Sequence, residues 1–294
     1  RSDIRLVSDI LGEFDLVEGD VSDLPNFLST IKQFKIDRII HMAAKLDPKD
    51  QAPPISVINT NIIGTANVLE AARLEGVKRV VFCSTRGVYE DIDEEHVYPK
   101  YIPVNEDYKK ISSPTKHSLY DATKQFCEHL LQKYYEMYGV DYIALRFGST
   151  FSPGKQARHG PLSLVCKMIE NAMKGEAMDI PKGGDEIDDF IYNKDVAEGI
   201  VLAAFAKNVK HRFFNIASGK GCTIRDIAEA IKKFYPNAIF NIGPGFNFRG
   251  IEIKYSCVYD ISRAREELGY EPKYSLEEAM KDYIGVVNKL KLLE

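Results

Sequence analysis

Apolar residues along this chain follow two alternating patterns: short unbroken runs, and stretches where they recur every three to four places. "FDLVEGD" (14–20) reads as a short apolar strand ending in a turn, and "NFLSTIKQF" as a short amphipathic helix. "DRIIHMAA" reads as a buried strand running into small residues. A long helix follows from about Pro54 to Ala72, with Pro near its start and Gly76 just past its end. "KRVVFCST" is a continuous apolar run, the pattern of a parallel strand covered on both faces. A polar loop, Glu90 to His117, leads to a helix from about Leu119 to Tyr138, stopped by Gly139, and then to the strand "DYIALRF". The β-α-β-α-β order predicts an α/β fold with a doubly wound, Rossmann-like parallel sheet.

Beyond Gly148 the pattern loosens. A Gly/Pro loop (Ser152 to Pro161) precedes the helix "LSLVCKMIENAMK" and the strand-like "DDFIYN". Helix signals recur at 196–206, 224–234, 262–268 and 275–292. The expected organisation is a cofactor-type sheet domain over 1–150. A small α/β annex over 151–294 would hold the substrate and send segments back to the main domain.

Composition narrows the setting. The 294 residues are 45% hydrophobic and 28% charged, with a net charge of -4 and no long basic block. That argues against a nucleic-acid or anionic-membrane partner. No run of about 18 apolar residues suggests a membrane helix, and "RSDIRLVSDILGEF" has no apolar core of a secretory signal. The five cysteines form no C-x-x-C, and the six histidines show no H-x-x-x-H or H-E-x-x-H spacing. Reduced thiols, a cytoplasmic location and no metal site are the expectations.

Candidate chemistry lies at the carboxyl ends of the strands, where open α/β sheets place their sites. Ser84 and Thr85 stand at the tip of one strand. In "YDATK", Tyr120 and Lys124 are four apart and share a helix face. A free phenol, with a pKa of about 10, is a poor base at neutral pH. A neighbouring ammonium favours the phenolate. Thr85 could hold a substrate oxygen between itself and Tyr120. That arrangement suits taking a proton from an alcohol while a hydride leaves the same carbon for a nicotinamide.

Together these segments resemble the extended short-chain dehydrogenase/reductases, the NAD-dependent epimerase/dehydratase family, and within it the UDP-glucose 4-epimerase-like proteins. "VEGDVSD" is similar to the adenine-side segment, which implies cofactor contacts at Asp20 and Val21. "HMAA" resembles the strand end under the cofactor, implying close approach at Ala43 and Ala44. "NTNIIGTANVLEAA" is similar to the family's long helix, with Asn61 at its Asn position. "VVFCSTRGVY" resembles the segment of the catalytic Ser or Thr; counting back from Tyr89 places Thr85 there, with Ser84 beside it. "YDATK" resembles the Tyr-x-x-x-Lys, whose Lys also grips the nicotinamide ribose. "RFGS" brings Phe147 to the cofactor and Ser149 to the substrate. "DFIYNKDVAEGI", "FNIASG" and "YDISRAREELGYEP" are similar to the C-terminal signatures, and Arg249 matches an Arg that contacts substrate phosphates. The resemblance implies NAD, with NADP not excluded, a nucleotide-sugar substrate, and a homodimer formed through the helices near 54–72 and 119–138.

Each residue has a plainer alternative. Asp20 reads equally as a turn residue, Asn61 as a buried helix amide with a structural partner, Ser84 and Thr85 as strand-end caps, and Arg249 as a surface Arg. Tyr120 and Lys124 alone would be a surface pair. The chain also departs from the family pattern. The opening strand, G-x-x-G-x-x-G loop and helix have no counterpart, since Gly12 and Gly19 stand apart, so a segment is expected to be missing at the N-terminus. Ser149 stands where nucleotide-sugar enzymes usually have Asn. Asp188 precedes Asp189 where they usually have Arg, an acid expected to repel a pyrophosphate. Arg158 and His159 fall in the loop that often covers the substrate. "STRGVY" lacks the Asp-Glu pair of the 4,6-dehydratases. The leading expectation is a sugar-nucleotide epimerase working by transient oxidation. The alternatives are an NAD(P)-dependent dehydrogenase of a sugar or other small alcohol, and a non-catalytic binding protein on the same fold.

Overall fold

The structure, a computed structural model, describes residues 4–46, 52–112, 117–154, 163–250, 254 and 256–293. Four parallel strands make the main sheet: β1 (Arg38–His41), β2 (Arg79–Cys83), β3 (Tyr142–Phe147) and β8 (Phe213–Ile216), in the order β1-β2-β3-β8. Successive side chains of β2 and β3 point to opposite faces. Val80, Phe82, Tyr142 and Ala144 enter one buried cluster, and Val81, Cys83, Ile143 and Leu145 enter another. A sheet covered on both sides is the reason these strands read as unbroken apolar runs.

The first face is covered by α1 (Leu24–Phe34), α3 (Gly64–Glu75) and α4 (Leu119–Tyr138). Helix α2 (Pro54–Ile58) runs through a π-helical turn, Asn59–Ile63, into α3, so the predicted long helix is present with an extra residue's slack at Asn61. It stops at Gly76, left-handed with φ 66°. Helix α4 is bounded as the sequence indicates. Ser118 and Asp121 form a reciprocal cap at its start, and Gly139 closes it in the left-handed conformation.

The annex holds β4 (Ser149–Phe151), α5 (Leu164–Lys174), β5 (Met178–Ile180), β6 (Ile187–Asp188) and β7 (Phe190–Tyr192). It continues with β9 (Cys222–Thr223), α7 (Ile224–Lys232), β10 (Phe240–Ile242) and α9 (Leu276–Lys289). Its core gathers Phe151, Val165, Met168, Ile227, Met280 and Tyr283. Two helices of the second half, α6 (Asn193–Phe205) and α8 (Ser262–Leu268), return to the main domain. Val196, Ile200, Ala264 and Leu268 lie in the core of the second sheet face. Among the described residues no helix is long and apolar enough to cross a membrane.

Two expectations are corrected. Residues 14–20 form no strand, and Leu16 is 72% exposed. A strand exists through its ladder, and these residues pair with none of the described strands. The "DRIIHMAA" run is buried only in part. Ile39 and His41 are buried, but Ile40 and Met42 are exposed, because β1 pairs with a single described strand and these two side chains face the cavity at its end.

Candidate active site

The carboxyl ends of β1, β2 and β3 open into a cavity of about 820 Å³, in the size range of small-molecule sites. Its wall includes Ala44, Ser84, Thr85, Tyr120, Lys124, Phe147, Ser149 and Arg249. Eight of the residues singled out in the sequence therefore meet at one place.

Lys124 is buried, and its Nζ donates to the Cys83 carbonyl at 2.5 Å. The ammonium lies 4.5 Å from the centre of the Phe82 ring and 5.7 Å from that of Tyr120. Among the described residues it makes no ion pair, and burial lowers its pKa to about 8. Tyr120 sits one turn earlier on α4, half-buried at the cavity. Burial pushes its phenol above the ordinary value, the adjacent Asp121 carboxylate and Cys83 push the same way, and the Thr85 hydroxyl opposes them. The expected lowering of the phenol by the ammonium is thus outweighed by desolvation. Thr85 caps the short 3-10 turn Arg86–Val88, accepting from Gly87 N at 3.1 Å.

Ser84 faces the protein as well as the cavity. Its Oγ donates to Glu128 Oε1 at 2.7 Å, and Glu128 is paired with Arg146 at 2.6 Å. Glu128 lies four residues beyond Lys124 on α4. The same helix face thus carries the phenol, the ammonium and an anchor to β2 and β3. His41, at the end of β1, stays neutral: burial and the Lys124 charge hold its pKa near 3.

Asn61 is committed elsewhere. Its Oδ1 accepts from Lys45 N at 2.7 Å, and its Nδ2 donates to Thr123 Oγ1 at 2.9 Å. Asp20 is exposed, and its carboxylate accepts from Ser22 N and Oγ at 2.8 and 2.7 Å. Val21 packs against Gly64, whose missing Cβ would lie 2.6 Å from the Val21 side chain. Asp20, Val21, Ala43 and Asn61 are not on the cavity wall, whereas Ala44 is.

The cavity also borders a charge cluster that the sequence concealed. Asp188 is fully buried on β6. Its carboxylate accepts from Arg86 Nη1 at 2.8 Å and is bound by Arg249 Nη2 and the Ser149 hydroxyl. Arg249 also donates to Ser149 Oγ and Ser256 Oγ, both at 2.8 Å. Burial alone would raise the Asp188 pKa, but Arg249, Arg86 and Ser149 hold it near 2. The acid therefore presents no bare negative charge to the cavity, because two guanidiniums neutralise it. Arg86, directly after Thr85 in "STRGVY", was missed; its place beside the catalytic Thr position was the available signal. Asp189, next in the chain, faces away and accepts from Ser218 and Gly219. Arg158 and His159 lie outside the described residues.

This geometry fits a nicotinamide cofactor at its reactive end. Small Ala44 and Gly148 and the Phe147 ring line the wall beside Tyr120. Lys124 Nζ has three protons and spends one on Cys83, which leaves donors for ribose hydroxyls. A Rossmann-type sheet with Tyr120, Lys124 and Thr85 gathered at its strand ends is the arrangement of an enzyme of the isomerase/oxidoreductase kind. Residues 3–217 match the NAD dependent epimerase/dehydratase family, and the chain belongs to that family. It is 28% identical to a putative UDP-glucose 4-epimerase of Methanocaldococcus jannaschii, over 94% of this chain and 82% of the relative. It is 29% identical to UDP-glucuronic acid decarboxylase 3 of Arabidopsis thaliana, over 91% of this chain and 72% of the relative. Among solved structures, the UDP-glucose 4-epimerase of Thermotoga maritima with UDP-glucose superposes with a TM-score of 0.78 at 25% identity, covering 99% of this chain and 90% of the other.

Proposed function

We propose that this chain is an NAD-dependent sugar-nucleotide epimerase acting by transient oxidation of a secondary alcohol. The observation that carries the reading is the convergence of Tyr120, Lys124 and Thr85 on one cavity wall, with the Lys124 ammonium buried and, among the described residues, in no ion pair. NAD, when bound, would supply the hydride acceptor. Tyr120 takes the hydroxyl proton and gives it back. Thr85 holds the substrate oxygen against Tyr120, and Lys124 stabilises negative charge on the phenol. Arg86 and Arg249 offer cationic groups to a pyrophosphate at the same cavity, with Ser149 beside them. Asp20, Val21, Ala43 and Asn61 remain proposed for the adenine and ribose side, acting by backbone or by packing.

The relatives carry different reactions at equal distance, an epimerase and a decarboxylase, so the test must follow product. The protein is incubated with NAD and UDP-glucose, and formation of the 4-epimer is followed by proton NMR. The Tyr120→Phe variant should lose about 10²–10⁴ of the rate. Net accumulation of NADH would instead indicate a dehydrogenase. Tyr120→Phe with unchanged turnover would remove Tyr120 as the base.

A homodimer through α2–α3 and α4 accompanies this reading. Ile55, Ile63, Leu74, Phe126, Met137 and Tyr138 are exposed on those helices. Sedimentation equilibrium giving only a monomer would dismiss it. The five free thiols support a reducing, cytoplasmic setting.

A further inference from the structure

Arg249 is carried by an irregular loop, "GPGFNFRG" (243–250), which lies against a second irregular stretch, "PKGGDE" (181–186). The two backbones touch. Gly183 N donates to the Pro244 carbonyl at 3.2 Å, Gly184 N to the Gly243 carbonyl at 3.0 Å, and Asp185 N to the Gly245 carbonyl at 3.1 Å. A Cβ on Gly183, whose φ is 95°, would lie 2.4 Å from Phe248 N, so only glycine permits the contact. Side chains then close the joint. Glu186 Oε2 accepts from two consecutive amides, Asn247 N at 3.0 Å and Phe248 N at 3.1 Å, the residues directly before Arg249. The Phe248 ring lies under the guanidinium, with its centre 4.2 Å from Arg249 Cζ. Glu186 and Asp188 are two apart along the extended chain at β6 and so share a face. The first grips the backbone of the Arg249 loop and the second its guanidinium. Asp185 holds the same loop farther from Arg249, accepting from Gly245 N at 2.6 Å.

We propose that Glu186 is a positioning residue: its carboxylate fixes the backbone before Arg249 and so sets that guanidinium at the cavity for the anionic part of the substrate. The proposal rests on the reading of Arg249 as a group that meets a pyrophosphate. The physical effect is preorganisation. Amide bonds to a carboxylate are charge-assisted, and an Arg fixed at both backbone and head group loses less freedom when an anion binds. The corner recognises and does not react, so loss of Glu186 should weaken binding and leave the proton chemistry at Tyr120 alone.

The test uses the whole protein labelled with ¹⁵N-arginine, the Arg249 signals being those absent from Arg249→Lys. A guanidinium held at both Nη atoms rotates slowly about its Cζ–Nη bonds and gives separate Nη resonances. Glu186→Ala should merge them and weaken UDP binding, measured by calorimetry, by roughly tenfold. Glu186→Gln removes the charge but keeps an acceptor oxygen, so its UDP affinity should stay within about threefold of wild type. Asp185→Ala removes a loop bond of the same kind; it should lower the melting temperature and leave the Arg249 signals and UDP affinity unchanged. If Glu186→Ala folds poorly, Glu186→Asp, which withdraws the carboxylate by one methylene, gives the same readout. In turnover KM should rise while kcat stays within about twofold. Arg249 signals identical in wild type and Glu186→Ala overturn the proposal, as does an equal change of those signals in Asp185→Ala. Where wild type binds UDP, unchanged affinity in Glu186→Ala overturns it too, and affinity that rises in both Glu186→Ala and Glu186→Gln would show that Glu186 acts by repulsion instead. A wild type that binds no UDP, with the Arg249 signals still merging in Glu186→Ala, would remove the pyrophosphate reading and leave the positioning standing.

Discussion

In one part of the cavity lining Lys124 is buried against a carbonyl and an aromatic ring; in another, Arg86 and Arg249 gather around the buried Asp188. Among the described residues the first cation makes no ion pair, so desolvation dominates and its pKa falls to about 8. The second pair has a carboxylate at hydrogen-bonding distance, and Asp188 stays ionised down to about pH 2. One corner can change charge near neutrality and suits proton chemistry. The other is fixed in charge and suits recognition. Burial alone does not decide the role of a charged side chain; its partner does.

The strongest way to break the contrast is to remove the partner. Asp188→Asn would leave two buried guanidiniums facing each other and should cost about 3–5 kcal/mol, read as a drop in urea midpoint. A nucleoside diphosphate should stabilise that variant more than the wild type, since it returns negative charge to the pair. If Asp188→Asn is as stable as wild type, the fixed-charge reading of this corner fails.

Removing the unpartnered cation should do the reverse. Lys124→Met should abolish turnover yet raise stability at pH 7 by about 2 kcal/mol. The shift from 10.5 to about 8 is worth about 3 kcal/mol, less about 1 for the lost bond to the Cys83 carbonyl. The sign fixes the pH window. The folded pKa is depressed, so the unfolded chain binds the extra proton between pH 8 and 10.5, and wild-type stability rises across that interval. The advantage of Lys124→Met should therefore shrink as pH climbs from 8 to 10.5. A gain independent of pH would mean that packing, not charge, is responsible.

His41 sharpens the comparison on the acid side. Its folded pKa near 3 lies below the ordinary 6.5, so its contribution is lost as pH falls from 6.5 towards 3. His41→Gln should flatten that part of the thermal-stability profile. The smallest effect is expected outside the cavity. Asp20 is exposed and, among the described residues, its carboxylate is bonded to Ser22, so Asp20→Ala should change stability by no more than about 0.5 kcal/mol. Calorimetric titration of NAD into that variant then reports on the proposed adenine-side contact with little confusion from folding.

Elements whose signals are local were legible in the sequence. Helix α4 was readable to the residue, because Ser118, Asp121 and Gly139 satisfy its end groups by themselves. Strands β2 and β3 were readable because coverage on both faces writes itself as an apolar run. "FDLVEGD" carried the same apolar signal and made no strand, since a strand needs a ladder partner and none of the described strands provides one. The edge strand β8 was seen only as the motif "FNIASG" and not as the fourth strand of the main sheet. Asn61 stood open between cofactor and scaffold; its bonds to Lys45 and Thr123 tie the loop after β1 to the helices.

By itself the sequence determined the Rossmann-like order of elements, the meeting of Tyr120 and Lys124 on one helix face, and the place of Thr85 at a strand tip. These depend on the helical repeat and on strand-to-helix order, which are short-range. Tertiary structure alone decided the charge states. Arg86 reaches Asp188 across 102 positions and Arg249 reaches it across 61, turning an apparent repulsive acid into a neutralised one. Burial, not the neighbouring ammonium, sets the Tyr120 phenol. Desolvation and ion pairing act through space, between residues that the linear order keeps apart.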